Sequence, residues 1–149
     1  MKVYIDTSFL ISLYTPDANS ATAAATMQSS KNIHLVSTFT ELEAVNALEL
    51  RVFRKEISAA QAKSSRRDLE NDLSKSVFQL ARLPEEAFPR AQQLSRRTTA
   101  RLGTRTADLL HVAAAIELNA ECLYSFDHQQ RRLARTLRLK LNAFPLPSL

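Results

Sequence analysis

The sequence contains very few of the residues on which several protein classes depend. With a single glycine, Gly103, it has no glycine-rich loop to hold phosphates through backbone N–H groups, which disfavours P-loop hydrolases and dinucleotide-binding folds. Its single cysteine, Cys122, excludes an internal disulfide and suits a reducing cytosol. No apolar run approaches the roughly 18 residues of a membrane span. The first apolar run does not resemble a signal peptide, because Asp6 interrupts it. We therefore expect a soluble, cytoplasmic protein.

The residues that are present are typical of one folded domain with a mild excess of positive charge. Of 149 residues, 45% are apolar and 23% are charged, which is enough to bury a core but too few for two comfortable domains. We therefore expect a single domain over residues 1–149. The 20 Lys and Arg against 15 Asp and Glu give a net charge of +5, which favours a polyanionic partner without requiring one.

Five short segments have the composition of β-strands. Residues 2–5 are β-branched and aromatic and end at a carboxylate, and residues 77–83 alternate in side-chain character as an edge strand does. The other three segments are residues 34–37, 122–126 and 140–144. Because helical segments separate these strands, right-handed crossovers and a mostly parallel sheet are predicted.

Six helices are predicted between the strands, at residues 18–30, 38–54, 58–75, 84–100, 104–118 and 128–137. Capping-box pairs mark the beginnings of the second and third helices, while Pro84 and Gly103 mark the beginning and end of the fourth. The second and third helices form a hairpin with charged outer faces, which indicates a solvated or partner-facing projection.

Four carboxylates fall where such a fold would bring them together. Asp6 and Asp127 follow predicted strands, whereas Glu43 and Asp108 lie in the first turns of predicted helices. In a parallel sheet the N-termini of the helices lie at the same edge as the C-termini of the strands, so all four acids belong to one edge. If the first and fourth strands are neighbours where the strand order reverses, the crevice there is the usual ligand site of an open α/β sheet.

Crowded carboxylates repel one another and raise one another's pKa values unless a cation lies among them. Oxygen ligands with room for water suit Mg²⁺ or Mn²⁺, and no Cys/His cluster has the spacing of a zinc site. Such an ion can activate water and offset the charge that develops on a phosphodiester. The pattern therefore indicates metal-assisted phosphodiester hydrolysis, with Asp6, Glu43, Asp108 and Asp127 as the catalytic and metal-binding residues.

Four segments together carry a resemblance to a known family. They are YIDTS at residues 4–8, EAVNAL at 43–48, RTADLLHVA at 105–113 and YSFD at 124–127. In their order and spacing they make the chain similar to PIN-domain proteins of the VapC type, the toxin half of bacterial toxin–antitoxin pairs. The resemblance implies an α/β fold with a five-stranded parallel sheet in the order 3-2-1-4-5 flanked by helices. It also implies Mg²⁺-dependent cleavage of RNA, a homodimer and inhibition by a cognate antitoxin.

The resemblance also assigns residues by position. Asp6, Glu43, Asp108 and Asp127 match the acidic residues of the family, and hydroxyl residues near the metal or beside the acids are matched by Ser8, Thr106 and Ser125. The chain departs from the family's pattern in two places. Gln130 stands where some relatives carry a further acid, and a glycine often found before the last strand is replaced near Arg138.

Some of these residues also have a purely structural interpretation. Asp6 and Asp127 could cap helices, and Asp108 could interact with a helix dipole, although its burial without a partner would be costly. His111 follows Asp108 on the same helical face, where a hydrogen-bonded core histidine is more common than a catalytic one.

The glutamate assignment depends on where the second helix begins. If the helix begins at Thr40, Glu43 is the third residue of a capping box and its role is structural. If the helix begins at Thr38, Glu41 is the capping residue and Glu43 is free to face the cleft, as the family spacing favours.

Arginines are crowded near the two acid-bearing segments in the carboxyl half. As candidate RNA contacts we take Arg101, Arg105, Arg131 and Arg132. A solvated helix face is the other interpretation of each. Few aromatic residues lie among them, so base stacking is not indicated.

Two other functions are compatible with the sequence. One is a non-catalytic RNA- or partner-binding module on the same fold. The other is a phosphoacceptor domain, which is disfavoured because Asp6-Thr7-Ser8 is not an Asp-x-Asp pair and no lysine follows a strand in the expected place.

Overall fold

The computed structural model describes residues 1–143 and contains a five-stranded parallel sheet between two layers of helices. The strands are β1 (Lys2–Ile5), β2 (Ile33–Ser37), β3 (Gln79–Ala81), β4 (Cys122–Tyr124) and β5 (Lys140–Leu141). Their order across the sheet is β3-β2-β1-β4-β5, and every neighbouring pair is parallel. The predicted α/β class and strand order are therefore confirmed.

The helices of the described chain include all six that were predicted, with ends that differ by up to three residues. They are α1 (Thr7–Tyr14), α2 (Ser20–Ser29), α3 (Thr38–Phe53), α4 (Ala59–Ser74), α5 (Ala87–Leu102), α6 (Thr106–Glu117) and α7 (His128–Thr136). Helix α1 is additional, since the sequence indicated only a loop or a helix start there. Between residues 1 and 143, every helix is too short or too polar to cross a membrane.

Three predicted strands are shorter than expected. β4 ends at Tyr124 because the next two backbone N–H groups bond to side chains: that of Ser125 donates to Oδ1 of Asn142 at 2.9 Å, and that of Phe126 to Oγ of Ser8 at 2.9 Å. β3 covers only three residues at the edge of the sheet. β5 ends at Leu141, short of the predicted Phe144, which itself lies outside the described residues.

The two faces of the sheet bury separate apolar clusters, as the alternation of side chains along β1 requires. Val3 and Ile5 point to the face covered by α1 to α4, whereas Tyr4 points to the face covered by α5 to α7. All three side chains are fully buried. β1 therefore lies at the centre of the sheet with a core on each side, and its C-terminus opens at the edge where Asp6 follows.

The helix boundaries correct two predictions. Helix α3 is capped by Ser37, whose Oγ accepts from the backbone N–H of Thr40, so neither capping box expected after Thr38 or Thr40 forms. Helix α5 begins at Ala87 instead of Pro84, because Pro84 lies in a preceding turn whose carbonyl accepts from the N–H of Ala87 at 3.0 Å. The cap of α5 by left-handed Gly103 is as predicted.

The hairpin of α3 and α4 forms, with the predicted capping box between Ser58 and Gln61 at the start of α4. It packs along α1 instead of projecting freely, since the Ser65 hydroxyl donates to the carbonyl of Tyr14 at 2.6 Å and the Tyr14 hydroxyl donates to Asp72 at 2.6 Å. The turn before β5 forms without glycine, with Arg138 at a φ of 61°.

Candidate functional site

The structure brings the four predicted acids to the carboxyl edge of the sheet. Asp6 follows β1 and caps α1, and Asp127 precedes and caps α7 by accepting from the N–H of Gln130 at 2.9 Å. Asp108 is the third residue of α6, in the first turn as predicted, whereas Glu43 lies in the second turn of α3 instead of the predicted first turn, because α3 already begins at Thr38. Because β1 and β4 are neighbours, this edge is where the strand order reverses, which is the arrangement that the resemblance implied.

Asp6 is buried and its carboxylate is surrounded by donors. Its Oδ1 accepts from the N–H of Phe9 at 2.8 Å, and its Oδ2 accepts from the Ser125 hydroxyl at 2.7 Å and from Nε2 of Gln130 at 2.9 Å. The Ser8 hydroxyl lies 2.8 and 2.9 Å from the two oxygens. Burial raises the pKa of Asp6, while the charge of His111 and these hydrogen bonds act in the opposite direction.

Asp108 has the opposite environment. Its side chain is also buried, but Oδ2 has no hydrogen-bond partner among the described residues. Burial raises the pKa of Asp108, and the charge of Asp127 raises it further, whereas the backbone and charge of Arg105 and the charge of His111 lower it. A buried carboxylate oxygen without a donor is expensive, so this atom is the part of the site that most needs a cation.

Glu43 faces the site, which decides between the two glutamates. Its Oε1 accepts from the Thr7 hydroxyl at 2.7 Å and is in close contact with Nε2 of His111. Burial acts to raise the pKa of Glu43, but the bond and charge of His111 and the bond of Thr7 lower it below the ordinary value. Glu41 instead lies in the first turn of α3 and lines the groove between α3 and α4.

His111 is part of a buried chain of hydrogen bonds that the sequence did not reveal. Its Nδ1 lies 3.0 Å from the hydroxyl of Tyr4, which in turn lies 2.7 Å from Oγ of Ser37 and 3.2 Å from Oγ1 of Thr40. Burial raises the pKa of Tyr4 well above its ordinary value, so its hydroxyl stays protonated at neutral pH. The core interpretation of His111 is correct in its burial, but the ring also contacts Glu43 of the acidic edge.

The predicted hydroxyl residues occupy different places. Ser8 and Ser125 both contact Asp6, and the Ser125 hydroxyl also accepts from the N–H of Asp127 at 3.1 Å, which joins two of the acids through one atom. Thr106 is the exposed first residue of α6, and no hydrogen bond links its side chain to the acids within the described chain. Gln130 was noted only as the position of a missing acid, yet it is buried and its Oε1 has no partner in the described residues.

The candidate RNA contacts divide into exposed and buried residues. Arg101, Arg105 and Arg132 are exposed. Arg131 is buried, and its guanidinium donates to the carbonyl of Ser125 at 2.9 Å and to Oδ1 and the carbonyl of Asn142 at 2.9 and 3.1 Å. The prediction of an RNA contact at Arg131 is therefore wrong, because the guanidinium supports the loop that carries Ser125.

The donor chemistry of this edge fits a hard divalent ion. The four acids offer carboxylate oxygens, and Oδ2 of Asp108 is buried without a partner in the part of the chain described. However, among residues 1–143 no group of three His, Cys, Asp or Glu side chains is already arranged to hold a metal ion. The donors around Asp6 explain part of this, since an ion bound there would have to replace one of them.

Comparisons with known proteins agree with the architecture. A family model described as the PIN domain matches residues 3–136. The fold is similar to that of Mycobacterium tuberculosis VapC20, a toxin that cleaves the sarcin–ricin loop, with a TM-score of 0.68, 18% identity, and coverage of 87% of this chain and 93% of that chain. No curated protein matches the chain.

Two further solved structures are also similar. Rickettsia felis VapBC2 bound to promoter DNA gives a TM-score of 0.65 at 16% identity, over 95% of this chain and 97% of that chain. FitAcB of Neisseria gonorrhoeae gives 0.65 at 16% identity, over 95% and 96%. At these identities the structures support the fold.

Proposed function

Because the chain belongs to the PIN-domain family, we propose that it is a metal-dependent endoribonuclease that hydrolyses RNA phosphodiesters at the acidic edge. The observation that carries the proposal is the buried Oδ2 of Asp108, which lacks a partner among the described residues, close to the charge of Asp127. A fold needs no such costly carboxylate for stability, whereas a cation site does.

Asp6, Glu43, Asp108 and Asp127 would hold Mg²⁺, or Mn²⁺, through carboxylate oxygens. When bound, such an ion supplies an activated water and offsets the charge that develops on the scissile phosphate. The protein contributes preorganisation, because the Ser8 and Ser125 hydroxyls and the Phe9 N–H fix the orientation of Asp6 before any ligand arrives.

The exposed arginines are the proposed contacts to the RNA backbone. Arg101 lies in the last turn of α5 and Arg105 caps α6, immediately before the turn that carries Asp108. Arg132 lies on the exposed side of α7. Guanidinium groups form bidentate hydrogen bonds with phosphate oxygens. These residues would therefore place a phosphodiester near the acids without recognising the RNA bases.

The test is cleavage of total RNA by the purified protein with Mg²⁺, with Mn²⁺ and with EDTA. We expect cleavage only with a divalent ion. Asp6→Asn should abolish it, while Asp68→Asn, an exposed acid on α4, serves as the matched control. Full cleavage in EDTA, or by Asp6→Asn, would contradict the proposal.

We further propose that the protein is the toxin of a type II toxin–antitoxin pair and forms a homodimer. Both properties are implied by the resemblance to VapC-type proteins, and the similar fold of VapC20, a toxin, supports the first. The groove between α3 and α4, which exposes Leu42 beside Val45 and Arg66, offers a surface for an amphipathic segment. Co-expression with the product of the upstream gene and light scattering after size exclusion test both points; a monomer at micromolar concentration would contradict the dimer.

A second candidate is a non-catalytic RNA- or partner-binding module. The observation in its favour is that the described residues hold no preformed metal group, since the carboxylate of Asp6 is already occupied by protein donors. This module would bind RNA equally well with and without a divalent ion and would leave it intact, so the same cleavage assay separates the two functions.

A further inference from the structure

The surroundings of Glu43 differ from those of the other acids, because both bonds it receives go to one oxygen. Oε1 accepts from Thr7 and His111, whereas Oε2 has no hydrogen-bond partner within the described chain. Two donors fixed on one oxygen determine the rotation of the carboxylate and leave the other oxygen available. The position of Glu43 is thus set by residues of α1 and α6, not by its own helix.

His111, the donor on α6, is itself held in place by neighbouring side chains. His111 is buried between Tyr4, whose ring centroid lies 5.8 Å away in an edge-on arrangement, and Phe39, at 4.7 Å. The hydroxyl of Tyr4 engages Nδ1, while the other ring nitrogen reaches Glu43. Because the bond at one nitrogen of a histidine selects the proton position at the other, Tyr4 determines which nitrogen can donate to Glu43.

For a neutral His111 ring, one assignment of protons is consistent with every bond of the chain; for an imidazolium, Nδ1 donates to the Tyr4 oxygen instead, and Nε2–H faces Glu43 in both cases. With the neutral ring, the N–H of Thr40 donates to Oγ of Ser37, the Ser37 hydroxyl to the oxygen of Tyr4, and the Tyr4 hydroxyl to Nδ1 of His111. Nε2–H then donates to Oε1 of Glu43. The chain begins at the cap of α3 and returns to the second turn of the same helix by way of β1 and α6.

We propose that His111 is a positioning residue, which holds Oε1 of Glu43 through the chain anchored on Tyr4 and so presents Oε2 to the acidic edge. This inference rests on the proposed function, because it gives Glu43 a task as a metal ligand. It does not make His111 a catalytic residue, since the ring acts only through Glu43. Loss of the imidazole should therefore change the affinity of the site for a divalent ion more than the stability of the fold.

The experiment measures Mn²⁺ affinity by electron paramagnetic resonance, with no RNA present. His111→Leu, which keeps apolar bulk, should weaken binding about 10-fold or more, the usual loss when a residue that orients a metal ligand is removed. His111→Gln, which keeps a donor, should recover most of that affinity. Tyr4→Phe should weaken binding in the same direction but less. His34→Leu is the matched control, because His34 is also buried but hydrogen-bonds Ser30, away from the acids.

A double-mutant cycle separates positioning from a general packing role. If His111 acts through Glu43, then His111→Leu should cause no further loss of affinity in a Glu43→Gln background. An equal loss in both backgrounds would overturn the inference, as would wild-type affinity in His111→Leu. If His111→Leu does not fold, Tyr4→Phe decides, and unchanged Mn²⁺ affinity in that variant overturns it.

The two proposals fail in different ways. If the wild-type protein binds no Mn²⁺, the proposed function falls and the task assigned to His111 falls with it. If the wild-type protein binds Mn²⁺ and cleaves RNA but the Tyr4 and His111 variants bind normally, only the role of His111 is overturned.

Discussion

Asp6 and Asp108 lie at the same edge of the sheet and both are buried, yet their carboxylates have opposite surroundings. Asp6 accepts hydrogen bonds from a backbone N–H, a hydroxyl and an amide, with a second hydroxyl in contact, whereas one oxygen of Asp108 has no partner in the described chain. Burial raises the pKa of both groups. Donors of the fold engage both oxygens of Asp6 but leave Oδ2 of Asp108 without a partner among the described residues.

If the edge binds a cation as proposed, this difference explains how it can also be stable without one. The carboxylate of Asp6 is part of the scaffold, since it caps α1 and joins β1 to the loop after β4 through Ser125. Asp108 contributes little to the fold, and its unpartnered Oδ2 would be stabilised by a nearby positive charge.

The largest expected effect is on RNA cleavage and comes from neutralising Asp6, whose carboxylate is surrounded by donors. Asp6→Asn keeps the size of the side chain and an oxygen that can cap α1, so the fold should survive, as circular dichroism would show. Cleavage of RNA should fall at least about 100-fold, because loss of a metal ligand exceeds the usual loss of a residue behind it. A variant that folds and cleaves normally would show that Asp6 is only a helix cap.

The next effect concerns the support behind Asp6. Arg131→Ala removes the guanidinium donors to the backbone carbonyls of Ser125 and Asn142, so we expect the free energy of unfolding to fall by about 2–4 kcal/mol. Arg132→Ala removes the neighbouring arginine, whose side chain is exposed. This variant should keep the stability of the wild type and bind RNA more weakly. Thermal unfolding and filter binding measure the two, and equal stability of both variants would contradict the structural role of Arg131.

Gln130→Glu tests whether the amide matters to Asp6. The new carboxylate would stand where Nε2 now lies 2.9 Å from Oδ2, so repulsion should lower stability in EDTA by about 1–3 kcal/mol. Mg²⁺ should restore more stability to this variant than to the wild type, because a cation then screens an additional acid. Gln28→Glu, at an exposed position of α2, is the control, and an identical response of both variants would contradict the role of Gln130.

The smallest expected effect is on stability and comes from neutralising Asp108. A raised pKa means that folding stabilises the protonated form of Asp108, so its contribution is complete below the ordinary value of 3.8 and is lost as the pH rises through the folded-state value. Asp108→Asn should therefore be more stable than the wild type at pH 7 in EDTA, by about 1 kcal/mol or roughly 3 °C.

Two measurements check the prediction for Asp108→Asn. The stability difference should shrink as the pH falls below 3.8, and Mg²⁺ should raise the melting temperature of the wild type but not of the variant. A variant that is less stable at pH 7, or that responds fully to Mg²⁺, would contradict the account of an unpaired carboxylate.

The sequence predicted the arrangement of the acids well because that arrangement depends on topology. Alternating strands and helices place the residues after strands and those in first helical turns at one edge, and Asp6, Asp108 and Asp127 needed no further information. The strand order itself came from the resemblance. The choice between Glu41 and Glu43 required the beginning of α3, and Ser37 at the end of β2 competed with both threonines as the cap.

The details of each contact were beyond the sequence because they depend on residues far apart in the chain. Tyr4 and His111 are separated by 107 positions, and nothing local to either predicts their bond. Arg131 and Arg132 are adjacent and identical in type, yet the turn of α7 buries one and exposes the other. Gln130 appeared only as the place of a missing acid, and its bond to Asp6 emerged from the packing of α7 against the end of β1.

The most direct measurement is anomalous diffraction at the manganese edge from crystals grown with Mn²⁺. The account predicts a peak at the carboxyl edge of the sheet, in contact with carboxylate oxygens of both Asp6 and Asp108, and no peak there in crystals of Asp108→Asn. A peak elsewhere on the molecule, or an Asp108 carboxylate that remains without a cation in saturating Mn²⁺, would contradict it.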